Sequence, residues 1–316
     1  MKMFKILMGA SGALAIALVG IHFVRGGVSA PSVERLWEGN APQSVGTSDE
    51  DVPSVSVFVP PKWHAAGAGI VICPGGAYKL LMSSYEGDDI ARWINSFGVA
   101  AFVLKYRIAP RYHYPAPALD AERAIRYVRH NAARFGIRPD RVGIIGFSAG
   151  GHLASTVLTH FNPGAPGSLD PVERESSRPD FGLLAYSIIT LRAPWTHTES
   201  VQNLLGSNPD PALIDELSND LHVTSATPPT FLFHTGEDSA VPPENSILFY
   251  SALRRAGVSA ELHVFSVGPH GVGLANGHGK APRVPALLGW PLFAEEWLTR
   301  QWTPQRRWSF SRLFRL

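Results

Sequence analysis

A five-residue stretch, Gly146-Phe147-Ser148-Ala149-Gly150, falls between two runs that ask for different secondary structure. Before it, Arg141-Val142-Gly143-Ile144-Ile145 is short, apolar and β-branched, the composition of a strand covered on both faces of a parallel sheet. After it, the chain from Ala149 through Phe161 contains no proline and repeats Leu153, Val157 and Leu158 at the spacing of one helix face. The turn between them has to be tight, and glycines on either side of the serine remove Cβ atoms that would collide in the strained backbone of such a turn. A serine placed there has its Oγ pushed out at the end of the strand, which makes Ser148 a candidate nucleophile. A glycine-rich turn without chemistry is the plainer alternative.

A serine hydroxyl is inert at neutral pH unless a base takes its proton, so the pattern asks for a histidine and a carboxylate farther along the chain. Phe231-Leu232-Phe233-His234 reads as a central strand, and Gly236-Glu237-Asp238 opens the loop beyond its end, with Glu237 and Asp238 both available as the acid. The next strand, Glu261-Leu262-His263-Val264-Phe265, leads into Ser266-Val267-Gly268-Pro269-His270-Gly271, which places His270 one βα unit later. Of the rival histidines, His152 lies four residues after Ser148 and points along the flank of the turn, where packing or support is expected. His234 and His263 fall inside strands and read as hydrogen-bonded core or face residues.

Acyl chemistry also needs donors for a developing oxyanion, best supplied by fixed backbone N–H groups. Gly69 to Cys73 reads as a buried strand that opens into Pro74-Gly75-Gly76-Ala77-Tyr78, where small residues let peptide groups approach a ligand. The N–H groups of Gly76, Ala77 and Ala149 are the candidates, and an ordinary strand-ending turn is the alternative. Cys73, the single cysteine, ends an apolar run and reads as a packed thiol.

Four separated motifs together resemble the α/β-hydrolase carbohydrate esterases, the acetyl-xylan and feruloyl esterase-like proteins that are often labelled xylanases. They are Pro74-Gly75-Gly76-Ala77-Tyr78, Tyr106-Arg107-Ile108-Ala109-Pro110, Gly146 through Ala154, and Gly236-Glu237-Asp238 with Pro269-His270-Gly271. The resemblance runs from about Val52 to Gln301. It implies a Ser148, Asp238, His270 triad, prefers Asp238 over Glu237 as the acid, and implies cleavage of carboxylic esters on plant-type polysaccharides or oligosaccharides. Relatives usually carry a third glycine where this chain has Ala77. A xylanase would need two opposed carboxylates at a glycosidic bond, whereas a Ser-Asp-His set speaks for the ester.

Read coarsely, strands at Ser54 to Val59, Gly69 to Cys73, Val99 to Tyr106, Val142 to Ile145, Leu183 to Ile189, Pro229 to His234 and Glu261 to Phe265 alternate with helices. The helices are expected at Ser84 to Ser96, Pro117 to Arg134, Ala149 to His160, Glu244 to Ala256 and Pro285 to Gln301. The alternation predicts a doubly wound, mostly parallel α/β sheet with helices on both faces, one domain over residues 31–301. Thr190 to Ser225 breaks the alternation, with one short helical piece at Ala212 to Leu217, and is expected to be a lid or pocket wall above the carboxyl edge of the sheet. Tyr78, Tyr85, Trp195 and the loop from Val272 to Pro285 are expected to form a substrate surface, because sugar and aromatic rings stack on aromatic faces. Core packing is the plainer reading of those aromatics.

Lys2 and Lys5 precede an apolar run from Ile6 to Val19, and Val28-Ser29-Ala30 precedes Pro31, the pattern of an export signal over residues 1–30 or of an uncleaved anchor. A periplasmic or extracellular location is expected from it, with one cysteine and hence no internal disulfide. From 302 to 316, Arg306, Arg307, Arg312 and Arg315 interleave with Trp302, Trp308, Phe310, Leu313 and Phe314, a tail that suits an anionic membrane surface, a partner, or packing on itself. A formal charge of +2 gives no argument for nucleic acid. Neither H-E-x-x-H nor C-x-x-C occurs, no metal site is evident, and the chemistry calls for no cofactor. A serine peptidase of the prolyl-peptidase type and a non-catalytic binding protein on the same scaffold remain as other classes. The first shares the triad order but comes with an attached propeller that nothing here resembles, and the second should have lost a triad member.

Overall fold

A computed structural model describes residues 31–302, so both the expected export signal over 1–30 and residues 303–316 of the expected tail lie outside the described residues. Eight strands form one sheet: β1 (Ser32–Arg35), β2 (Ser54–Phe58), β3 (Gly69–Cys73), β4 (Ala100–Lys105), β5 (Val142–Phe147), β6 (Gly182–Ala185), β7 (Thr230–Thr235) and β8 (Ala260–Phe265). Their spatial order is β1-β2-β4-β3-β5-β6-β7-β8, antiparallel for the first two pairings and parallel from β4 onward. This is the expected mostly parallel sheet, with β1 as an edge strand that the sequence reading did not anticipate. Its four residues are mostly exposed and carry two charges, so they give little apolar signal.

The central strands show why such a sheet folds. In β3, Val71 and Cys73 enter the core layer that also holds Ala121, Ala124, Ile125 and Val128, while Ile70 and Ile72 enter the opposite layer with Ile90, Ile94, Trp297 and Leu298. In β5, Val142 and Ile144 face the first layer and Ile145 and Phe147 the second. Successive side chains alternate between faces, so burial on both faces requires an unbroken apolar run rather than an alternating one. Helices α2 (Ala116–His130), α3 (Ser148–His160) and α6 (Glu244–Arg255) cover one face, and α1 (Asp89–Ser96) and α7 (Trp290–Arg300) the other. Trp302, the start of the expected tail, packs its ring against Phe181 at 5.7 Å. Among the described residues no helix is long and apolar enough to cross a membrane.

Two departures from the expected boundaries affect the site. The helix expected from Ser84 begins as a single π-turn, Ser84–Asp88, before α1. The strand expected to run to Ile189 stops at Ala185, because Tyr186 adopts φ 38° and turns the chain out of the sheet. The segment expected as a lid contains α4 (Thr198–Leu205), absent from the sequence reading, and α5 (Pro211–Glu216), close to the expected piece.

Arg107 and Asp120 form an ion pair with both side chains essentially inaccessible to water, Nε and Nη2 meeting the carboxylate at 2.7–3.1 Å while the Arg107 amide also donates to it at 2.9 Å. The pair anchors the Tyr106-Arg107 corner after β4 to α2. Removing one buried partner strands the other charge, so Asp120→Ala is expected to cost about 3–5 kcal/mol. A lowered urea midpoint with an unchanged m-value is the readout.

Candidate active site

Ser148 occupies the junction of β5 and α3 with φ 52°, a left-handed backbone unusual for a residue with a Cβ. The junction is possible because α3 leaves the strand by crossing directly over the end of β3. A Cβ on Gly150 would lie 2.1 Å from the Cys73 carbonyl oxygen and 2.4 Å from that of Pro74. The loop after β3 lies equally close on the other side, where a Cβ on Gly75 would lie 2.9 Å from that of Ser148.

Ser148 Oγ lies 2.8 Å from His270 Nε2, and His270 Nδ1 lies 2.6 Å from Asp238 Oδ2. The other Asp238 oxygen accepts N–H groups of Ala240 (3.1 Å) and Val241 (2.8 Å). Burial by itself would raise the Asp238 pKa. Hydrogen bonds from His234 and His270, the charge of His270 and the Val241 amide outweigh it and hold the carboxyl well below its ordinary range. Glu237 is occupied elsewhere, accepting the Gly268 N–H at 2.9 Å, so geometry separates the two acids that the residues alone left open. The arrangement can take a proton from Ser148 onto His270 while a permanently ionised Asp238 fixes the ring and balances its charge.

The backbone of the loop after β3 is strained in the same sense as the serine. Gly76, Ala77 and Tyr78 have φ of 129°, 53° and 58°. The left-handed φ at Ala77 is one that glycine adopts without strain and that a Cβ disfavours. Among the described residues no acceptor takes the N–H of Gly76 or Ala77, while the N–H of Gly75 is committed to Glu86 Oε2 at 2.9 Å. Ala149 stands in the first turn of α3, where amides have no partner within the helix. The three candidate donors are thus unspent, two of them on the loop that meets Ser148 at Gly75.

The loop is held from several sides, and the resemblance motifs supply part of the support. The Tyr106 hydroxyl donates to the Pro74 carbonyl at 2.7 Å, and the Ala109 amide donates to the Tyr78 carbonyl at 2.9 Å. From the lid, Asn203 donates its side-chain amide to the Ala77 carbonyl at 2.8 Å, and Glu199 of α4 reaches Lys79 at 3.4 Å.

The aromatic substrate surface is corrected in part. Tyr78 is 1% exposed and its hydroxyl lies 2.8 Å from His152 Nδ1, so it is a core residue and offers no ring to a ligand; its left-handed backbone turns the side chain inward. Tyr85 is 8% exposed and packs its ring on the backbone of Gly273 in the His270 loop. Trp195 is half-buried in the lid, its carbonyl accepting from Asn245 at 2.9 Å. In the loop from Val272 to Pro285, Val272 and Ala275 are fully buried and His278 is tied at 2.6 Å to Asp89 of α1. A groove of about 450 Å³ is lined by Leu191, Arg192, Ala193, Thr196 and Val201, with no triad residue in its wall.

Four supporting residues carry no sequence signal. Glu86, on the π-turn, is fully buried, and burial raises its pKa against hydrogen bonds from Tyr186 and Gly75 and the charge of His270. Its second oxygen accepts the Tyr186 hydroxyl at 2.8 Å, and that hydroxyl accepts the Gly273 N–H at 3.0 Å. One carboxyl group therefore couples the loop after β3 to the loop bearing His270. His234 lies behind the acid, with Nε2 3.4 Å from Asp238 Oδ2 and 2.9 Å from the Val241 carbonyl. His197, half-buried in the segment before α4, has its pKa lowered by burial and by the charge of His270, and its Nδ1 lies 2.9 Å from Ser200 Oγ. A glutamate beside aspartates, or a histidine inside a strand, looks the same in sequence whether it is solvated or structural.

Two predictions follow from these contacts. Glu86→Ala should release both loops and lower kcat by roughly 10²–10³-fold, the range for loss of one oxyanion donor, while Glu86→Gln retains most activity by keeping an oxygen toward Gly75; steady-state kinetics separates them. His152 is pushed down to about 4 by burial, from an ordinary value of 6.5, with Nε2 donating to the Leu217 carbonyl at 2.8 Å. A depressed histidine pKa contributes stability that is present above 6.5 and lost as pH falls toward 4. Folding free energy should fall across that window in the native chain, and His152→Gln should flatten the fall in denaturant titrations.

Comparison with known proteins places this geometry. Residues 55–253 match the family BD-FAE. An acetylxylan esterase of Xylanibacter ruminicola is 36% identical over 234 residues, which are 73% of this chain and 46% of that protein. Endo-1,4-beta-xylanase B of Butyrivibrio fibrisolvens is 37% identical over 210 residues, 66% of this chain and 33% of that protein. The chain thus spans less than half the length of these two curated relatives. Among solved structures, an acetyl ester-xyloside bifunctional hydrolase from Caldicellulosiruptor lactoaceticus is 43% identical with a TM-score of 0.79, covering 87% of this chain and 98% of that one. The family match extends from β2 through α6 and includes Ser148 and Asp238, and the sheet order is that of an α/β hydrolase: the chain belongs to the BD-FAE family.

Proposed function

We propose that the protein is a serine esterase that removes acetyl groups from xylan or xylo-oligosaccharides. The observation that carries this reading is the continuous path from Ser148 Oγ through His270 to Asp238, at 2.8 and 2.6 Å. In the reaction His270 Nε2 takes the Ser148 proton as Oγ attacks the ester carbonyl, and the oxyanion is met by the N–H groups of Gly76, Ala77 and Ala149. The sugar hydroxyl leaves with the proton from His270, and Ser148 holds the acyl group as an ester. Water then gives a proton to His270 and attacks the acyl carbon, and as the C–O bond to Ser148 breaks His270 returns that proton to Oγ, releasing the carboxylic acid and free Ser148. The names of the acetylxylan esterase and the acetyl ester-xyloside hydrolase support acetyl as the acyl group and a xylose polymer as its carrier. For the glycosidase in the name of the Butyrivibrio protein, the Ser-Asp-His path supplies no opposed carboxylate pair, and the chain corresponds to a third of that protein. Export through residues 1–30 belongs to the same reading, since xylan is an extracellular polymer; it rests on the basic and apolar pattern of that segment.

The full chain is expected to release acetate from acetylated xylan and to turn over p-nitrophenyl acetate faster than p-nitrophenyl butyrate or methyl ferulate. Ser148→Ala should lower kcat by about 10⁴–10⁶-fold with the fold intact by circular dichroism. Undiminished turnover in the variant would remove the serine from the mechanism, and a preference for methyl ferulate would move the acyl group to an aromatic acid.

A further inference from the structure

At the far end of α3 from Ser148, His160 comes together with Glu216, the last residue of α5, and His222, one ligand atom from each lying within 4.8 Å of the others. His160 Nε2 is buried and has no protein partner in hydrogen-bonding geometry among the described residues. Its nearest neighbour of opposite character is Glu216 Oε1, at 3.4 Å. The tautomer of His160 is set from its other side. The Thr159 hydroxyl directs its proton to the Ser155 carbonyl at 2.8 Å, so its oxygen accepts from His160 Nδ1 at 2.8 Å and Nε2 keeps a bare lone pair. His222 is fixed in the complementary way, its Nε2 donating to the Asp215 carbonyl at 3.0 Å and leaving Nδ1 as the lone-pair nitrogen. The two imidazole rings lie 4.9 Å apart.

We propose that His160, Glu216 and His222 form a zinc site that staples the lid segment to the helix of Ser148. Two imidazoles and one carboxylate are a zinc donor set, with water as the fourth ligand. Bonds of about 2.0–2.1 Å at tetrahedral angles put ligand atoms roughly 3.3 Å apart, close to the His160–Glu216 separation already present. Glu216 is exposed, so rotation of its side chain with a small shift of the surface turn that carries His222 closes the remaining distances, whereas His160 at the end of α3 is anchored. Each histidine holds its non-ligating nitrogen on an oxygen, as metal-bound histidines do. The ion belongs to structure, not to the ester reaction, because twelve helical rises put His160 about 18 Å from Ser148. Its effect is on the lid: Asn219 of the same segment already donates to Ser155 Oγ at 2.7 Å and Thr156 Oγ1 at 3.1 Å of α3, and the ion adds a third tie at the segment's open end.

Untagged full-length protein, stripped with EDTA and dialysed, tests this with ZnCl2 in isothermal titration and thermal unfolding. One zinc per chain is expected, and a rise in Tm of about 5 °C at a hundredfold excess over Kd, with no rise in MgCl2. Glu216→Gln and His222→Ala, both at partly or fully exposed positions, should fold with unchanged Tm in EDTA and should each weaken binding at least tenfold. Turnover of p-nitrophenyl acetate at 25 °C should be the same in EDTA and in zinc. Binding that survives both substitutions, or no binding at one per chain in the native protein, overturns the site. Activity lost in EDTA and restored by zinc overturns its structural role.

Discussion

The arrangement of this molecule depends on one close crossing of backbone on backbone. Helix α3 starts immediately after β5 and passes over the carbonyls that end β3, with no room for a Cβ at Gly150. That crossing forces Ser148 into a left-handed conformation and brings its Cβ against Gly75. Ser148, the N-terminus of α3 and the strained loop from Gly76 to Tyr78 therefore share one corner of the sheet, brought together by the pairing of β3 with β5. The strain of three successive residues with positive φ is held by contacts to the Pro74, Ala77 and Tyr78 carbonyls from Tyr106, Asn203 and Ala109.

A second layer of order comes from buried polar groups that are satisfied in chains. Glu86 accepts from Gly75 and Tyr186, Tyr186 accepts from Gly273, and the loop from 268 to 273 carries His270. On the opposite side Asp238 is braced by two amides and by His234, itself held by Ser246 and Val241. In a low-dielectric interior each such group costs free energy unless every partner is in place, so the chains favour a single geometry of the site over its neighbours.

The segment from Thr190 to Ser225 connects this site to the remote end of α3. Asn203 and Glu199 of α4 rest on the loop after β3, Asn245 holds Trp195 and the turn at Ile189 and Thr190, and Asn219 ties the following segment to α3. None of these was legible beforehand, since asparagines and serines in an irregular stretch look alike whether they bond water or backbone. The segment stands out in the sequence by what it lacks, an alternation of strand and helix, and that same lack hides α4. Tyr78 was misjudged by a related limit: composition shows that an aromatic stands beside a glycine loop, but only φ at that residue decides that its ring turns into the core.

What the sequence determined by itself is whatever rests on local periodicity and backbone chemistry: the apolar runs of β3, β5 and β7, the glycines that permit the turn at Ser148, and the order in which serine, acid and histidine follow their strands. These are properties of a few neighbouring residues, and the physics that uses them, burial on two faces and relief of steric overlap, acts at short range along the chain. The tertiary structure decided what depends on distances between remote segments. It separated Asp238 from Glu237 by giving the latter to the Gly268 amide, placed Glu86 under the site, and gathered His160, Glu216 and His222 from two helices and a turn. Such contacts join residues from different loops and helices whose types say nothing of each other, so they exist only once the sheet has fixed where each loop begins.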